Sequence, residues 1–324
     1  MSTLTDLFTN IANAIRAKTG SSNQIAASDF PTAIANIPTS GSSEIELASG
    51  TTFLSYAFDG TNTNSIGKKM VNAPAIDTTS VTYMDRMFKN CTNLTSVPDY
   101  DTSAVINMNY MFQNCTSLVS APSFNDMSSV TSMESMFLGC SGLTTVSDFD
   151  ASATISMMEM FKDCTSLTTI SNFDTSAATN MAYMFKNCTS LITAPSIDTS
   201  SATSTYEMFS GCTGLTTIPQ YNTSNAVSME SMFYGCTDLE TVPVLDTSSA
   251  ASLRNMFDNC GNLSLTSLNN ILLMCANVGP NYIKPKVLFY ERIISPEYYP
   301  TNVIEGLSNY QTFINAGWTL DGAT

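Results

Sequence analysis

Cysteine spacing constrains this chain more than any other feature. Eight of its nine cysteines (Cys91, Cys115, Cys140, Cys164, Cys188, Cys212, Cys236 and Cys260) lie 24 residues apart, with one step of 25 before Cys140. An extra residue in Asn125-Asp-Met-Ser128, where other units read Asp-Thr-Ser, accounts for the longer step. Each of the eight follows a Met-Phe pair, from Met87-Phe88 to Met256-Phe257, and precedes a leucine, from Leu94 to Leu263. One unit reads Asp-Thr-Ser, a spacer, then Met-x-x-Met-Phe-x-Asn/Gly-Cys-Thr-x-Leu-Thr-x-Val-Pro-x-Phe. A unit this short cannot bury its own apolar side chains, so the period predicts stacked units that share one core.

Each unit divides into two halves. Val81, Met84, Met87, Phe88 and Cys91 are spaced to trace one face of a short helix. The residue before each cysteine is Asn90, Asn114, Gly139, Asp163, Asn187, Gly211, Gly235 or Asn259. Those types tolerate left-handed backbone, so the helix should stop there. A β-branched run follows and predicts a short strand. Pro98, Pro122, Pro195, Pro219 and Pro243 have no N–H for a ladder, so pairing should end beside them. Asp-Thr-Ser then restarts the unit, with Asp or Ser capping free backbone N–H groups.

The unit resembles the bacterial BspA-type leucine-rich repeats, in the variant reading Phe-Asp-Thr-Ser…Met-x-x-Met-Phe-x-x-Cys-x-x-Leu. Phe173-Asp-Thr-Ser176, Met181, Met184-Phe185, Cys188 and Leu191 carry the match, which spans residues 73–263. The expected architecture is α/β: a leucine-rich-repeat-type solenoid of eight 24-residue units, each a short helix plus a short parallel strand. A small helical N-terminal module and a C-terminal cap would flank it. The family occurs in surface adhesins and phage tail proteins.

The ends differ from the array. Leu4, Leu7, Phe8, Ile11, Ala14 and Ile15 lie at helical spacing, Lys18-Thr-Gly20 closes that helix, and Asp29-Phe-Pro31 opens a second through Ile34 and Ile37. This segment, 1–37, is similar to a short module of tail and baseplate proteins from phages of Gram-positive bacteria. That likeness implies an attachment role toward other tail or baseplate proteins, and phage fibres of this kind imply a homotrimer, although no heptad run specifies one. Residues 38–50 read as a flexible Ser/Gly linker. Residues 51–80 read as an N-terminal cap or degenerate repeat lacking cysteine, 81–263 as the repeat solenoid, and 264–324 as a C-terminal cap opening on a longer helix through Leu272 and Cys275.

Composition excludes several functions. Lys and Arg number 12 against 27 Asp and Glu, a net charge of −15. Phosphate neutralisation needs cations, so nucleic acid is not an expected partner. The absence of histidine removes the commonest general base and metal ligand. Nucleophile–base pairs and phosphate loops are missing from the sequence, so no enzyme and no cofactor are expected. No basic n-region opens the chain and no apolar run approaches the length of a membrane span, so neither a signal peptide nor membrane insertion is expected.

Candidate sites follow from the unit. The cysteines share one apolar position beside Phe and Leu, which predicts buried free thiols rather than disulfides or metal ligands. The Asp column (Asp101, Asp150, Asp174, Asp198 and Asp246, broken by Asn222) reads as turn caps rather than a calcium row. If Val97 and its equivalents point inward, the preceding residues point outward. Ser96, Ser120, Thr145, Thr169, Thr193, Thr217 and Thr241 would then form an uncharged row of hydroxyls suited to a polysaccharide. Tyr298 and Tyr299 are the alternative receptor site, since aromatic rings stack on sugars. The favoured reading is a non-enzymatic phage or phage-derived tail fibre or baseplate-tip protein, assembled in the host cytoplasm, carried on the virion, and binding the bacterial surface through polysaccharide or protein. The alternative is a bacterial surface adhesin or interaction scaffold of the same repeat family.

Overall fold

The computed structural model describes residues 44–45, 51–61, 66–124, 126–283, 287–289 and 301–321. The predicted helical module at 1–37 lies outside them. Inside the stretch read as a linker, strand β1 (Glu44–Ile45) pairs in parallel with β2 (Ala75–Ile76). Between them runs a short helix, α1 (Ile66–Lys69).

From residue 51 to 263 the chain winds in coils laid on one another in parallel register. Bridges run unbroken through Phe53, Tyr83, Asn107, Ser132, Ser156, Asn180, Ser204, Ser228 and Ser252. The register equals the sequence period, so equivalent residues stack on equivalent residues. A second ladder joins Asn72 to Ser96, Ser120 to Thr145, and Thr193 to Thr217 to Thr241. Within it, β3 (Thr145–Val146) pairs with β4 (Thr169–Ile170).

The helix predicted for the first half of each unit does not form; among the described residues no helix lies between 81 and 263. Two chained turns replace it. The N–H groups of Met87, Lys89 and Cys91 donate to the carbonyls of Met84, Arg86 and Phe88 in the same coil. The intervening N–H groups of Met84, Arg86, Phe88 and Asn90 donate to Asn107, Asn109, Met111 and Gln113 of the next coil, at 2.7–3.1 Å. A helix would keep all its amides for its own carbonyls. Here the neighbouring coil lies at sheet spacing and offers a carbonyl to every second amide. Left-handed backbone at Arg86 (φ 58°) and Asn90 (φ 60°) turns the chain sharply enough to permit this. The helical spacing misleads because the double turn buries the same residues: Val81, Met84, Met87, Phe88 and Cys91 are all fully buried.

The core is a bundle of columns. Phe58, Phe88, Phe112, Phe137, Phe161, Phe185, Phe209, Phe233 and Phe257 form one stack, with ring centroids 5.2–5.7 Å apart and planes within 13° of parallel. That offset stacking adds about 0.5–1.5 kcal/mol per pair beyond the area buried. Phe58 occupies the ring position in the coil that lacks cysteine, so residues 51–61 supply a complete rung of the stack.

The far end is closed by α2 (Leu265–Ala276), the longer helix expected there. It satisfies the ladder groups that the last coil would otherwise expose. Ser267 Oγ donates to Glu240 C=O and accepts from Val242 N–H, and Asn270 Nδ2 donates to Val242 C=O. Beyond it lie strand β5 (Val287–Phe289) and helices α3 (Thr301–Glu305) and α4 (Tyr310–Asn315). Strand β6 (Thr319–Asp321) pairs in parallel with β5. Phe313 and Trp318 are buried in this cap.

Candidate functional site

The predicted hydroxyl row exists as a surface ridge. Ser96, Ser120, Thr145, Thr169, Thr193 and Thr241 are exposed and Thr217 is partly buried. Their successors face the core: Val146, Ala194, Ile218 and Val242 are buried, and Val97 packs against the cluster. Strand alternation therefore holds. The residue before each hydroxyl is also exposed or half-buried, and where it is Thr its N–H and Oγ1 both donate to one carbonyl of the preceding coil. Thr144 donates both to Val119, and Thr216 both to Ile192. Sequence reasoning missed this second column. It adds exposed Val119 and Ile192, so the ridge carries apolar steps among its hydroxyls. Tyr298 and Tyr299 lie outside the described residues.

Each coil's Asp acts as a turn cap. Asp101 Oδ1 accepts from Ser103 N–H at 2.9 Å and from Ser103 Oγ at 2.6 Å. Asp174 and Asp246 accept the same backbone bond from Ser176 and Ser248. These hydrogen bonds hold the carboxyls of Asp101, Asp174 and Asp246 below the usual range. The adjacent threonines Thr102, Thr175, Thr199 and Thr223 are buried, and each donates to a carbonyl of the next coil. In the coil with the extra residue, Asp126 keeps the cap and Met127 replaces the threonine. Among the described residues no group of three or more metal-ligating side chains is brought together.

All nine cysteines are free and buried. The eight repeat thiols also have a role that the spacing did not reveal. Each S–H donates to the phenylalanine carbonyl of the preceding coil: Cys188 to Phe161, Cys212 to Phe185, and so on through the stack, at 3.0–3.1 Å. From Phe88 to Phe233 the same carbonyl also accepts the N–H of its own coil's cysteine, so both of its lone pairs are used. Burial pushes the thiols of Cys91, Cys140 and Cys212 up to about 12, which leaves them protonated and unreactive.

The chained turns display a third surface. Arg86 lies between the rings of Tyr56 and Tyr110, 5.2 and 4.5 Å from their centroids. Lys162 and Lys186 flank Tyr183, each at 5.4 Å. Lys162 pairs with Glu159 at 2.7 Å, and Lys186 pairs with Glu207. A shallow hollow opens on this face between Tyr206, Glu230, Tyr234 and Arg254. No sequence pattern announced this surface, because its residues follow no periodic type.

Taken together, the chain is a repeat solenoid with a cap, and its surfaces are laid out in columns. It belongs to a protein family described as "Mycoplasma protein of unknown function, DUF285", whose model matches residues 52–169, 120–216 and 157–270. No curated protein matches the chain. Among solved structures it is similar to a leucine-rich repeat protein from Bacteroides ovatus, at 16% identity over 68% of this chain and 73% of that one, with a TM-score of 0.27. A leucine rich cell surface protein from Faecalibacterium prausnitzii is 17% identical over 72% of this chain and 88% of its own, with a TM-score of 0.22.

Proposed function

We propose that this chain is a non-enzymatic binding protein whose ridge, Ser96 to Thr241, engages a polysaccharide or teichoic-acid chain of the bacterial envelope. The observation that carries the reading is the ridge itself: a row of outward hydroxyls, one per coil, in a chain of net charge −15. Hydroxyls donate and accept, so a repeating row of them matches a repeating polyol. The exposed Val119 and Ile192 offer apolar contact to sugar faces. In the finer form of the proposal, residues 1–37 attach the protein to a phage or phage-derived tail, which brings the ridge to the cell.

Binding to purified Gram-positive cell-wall polysaccharide tests the ridge. Thr169→Lys and Thr193→Lys should abolish binding and leave the thermal midpoint nearly unchanged. Binding that survives them, and is lost instead on changing Tyr298 and Tyr299 to Ala, would move the site to the C-terminal region. Deleting 1–37 should leave polysaccharide binding intact and prevent incorporation into tails. Normal tail occupancy of the truncated protein would refute the attachment role alone.

A further inference from the structure

Repetition lets the chain be compared with itself. The residues before the cysteines form a column of side-chain amides joined coil to coil. Asn114 Nδ2 donates to Asn90 Oδ1 at 2.8 Å, and Asn187 Nδ2 donates to Asp163 Oδ1 at 2.7 Å. Each bond runs back to the preceding coil, so the Oδ1 of the last asparagine is left facing the next one. At Asn187 it lies over Gly211, 2.3 Å from where a Cβ would stand, and no donor among the described residues reaches it. The following coil has glycine again. A Cβ at Gly235 would meet only the backbone of Gly211, at 3.9 Å, so two successive rungs of the column are missing. The gap at Gly139 is a single coil wide, with Leu138 beside it and Asp163 after it.

The adjacent column is cut back at the same place. Ser210 stands where other coils carry Lys89, Gln113, Leu138, Lys162 or Lys186. Together these small residues open the hollow of about 550 Å³ on the turn face, a volume usual for small-ligand sites. Ser210 lines it, is only 4 % exposed, and its hydroxyl has no hydrogen-bond partner among the described residues. Glu207 is engaged by Lys186 and by the Tyr206 hydroxyl, whereas Glu230 and Arg254 make no ion pair among the described residues. The exposed Tyr234 ring stands beside them. Each group asks for a complement. Asn187 Oδ1 needs an N–H donor, and the bare glycine floor leaves room for a flat amide to extend the column. Glu230 accepts from hydroxyls, Arg254 and Ser210 donate to them, and Tyr234 offers a ring face with a polar edge. We propose that this hollow binds an N-acetylated amino sugar, its acetamido N–H donating to Asn187 Oδ1 and its ring resting on Tyr234. The hollow lies on the turn face, so the site does not depend on the ridge.

Calorimetric titration of the full chain with the tetramer of β-1,4-linked N-acetylglucosamine tests the proposal. Binding should be saturable. The glucose tetramer of the same linkage lacks the acetamido N–H and should bind about tenfold or more weakly. Gly235→Asn fills the floor with a residue this column already carries, since Gly235 has φ 71° and Asn259 φ 63°. Ser210→Gln restores the length found at Gln113. Each should abolish binding with the thermal midpoint retained, and Thr169→Lys with Thr193→Lys on the ridge should leave it unchanged. No saturable binding, equal affinity for the glucose tetramer, or unaltered binding in either filled variant would overturn the proposal. So would loss of binding in the ridge variant, or equal binding of acetyl-alanyl-alanine amide, which would make the hollow a peptide site.

Discussion

At the scale of single residues, the cysteine column explains itself through its hydrogen bond. The site is fully buried at Cys188, and alanine there would leave both a small void and a phenylalanine carbonyl with one unused lone pair. Cys188→Ala should lower the unfolding free energy by about 1–3 kcal/mol, measured by urea denaturation under reducing conditions. A change within experimental error would mean that the thiol is a passive filler. The same thiols set an alkaline limit. Their folded pKa lies near 12 at Cys91, Cys140 and Cys212, against an ordinary 9.0, so the folded state binds these protons more tightly. The resulting stability is complete below pH 9 and is lost as pH rises from 9 toward 12. Denaturation midpoints measured from pH 8 to pH 11 should fall steadily above pH 9. A flat profile would show that the thiols do not stay protected.

At the scale of the coil, half of the structure was legible in the sequence, and for identifiable reasons. The inward column could be read because burial leaves only apolar types at Met87, Phe88, Cys91 and Leu94. The left-handed residue before each cysteine could be read because sterics leave only Asn, Gly and Asp there. At two of the glycines the space is already filled: a Cβ at Gly139 or Gly211 would stand 2.3 Å from the Oδ1 of Asn114 or Asn187 in the coil before. The second left-handed residue was illegible, since Tyr, Arg and Glu are poor candidates for that backbone. Missing it turned two chained turns into a helix. The ridge was legible through strand alternation, whereas the turn face has no periodic residue type to announce it. A direct test follows at Ser231, which has φ 54° and sits at that second position. Ser231→Gly should stabilise the protein by up to about 1 kcal/mol by relieving the strain, read as a raised thermal midpoint. Destabilisation would argue that the backbone there is not left-handed.

At the scale of the whole molecule, the ladders make the coils one body. The bridge series from Phe53 to Ser252 is continuous, as is the phenylalanine stack, and α2 closes the end with Ser267 and Asn270. In such an array each coil depends on its neighbours, so stability is shared along the stack. The ridge and the turn face are consequences of that continuity, because only a fixed register holds equivalent residues in straight columns. Native-state hydrogen exchange tests the arrangement most directly. In the turn ladder the amides of Phe137, Phe161 and Phe185 donate to Met160, Met184 and Met208 of the next coil. They should therefore exchange slowly and at one common rate, and Ser210→Pro, which removes the N–H bonded within the following coil, should speed exchange at Phe185 more than at Phe137. Fast exchange at these phenylalanines, or coils that open independently of their neighbours, would contradict the stacked-turn solenoid.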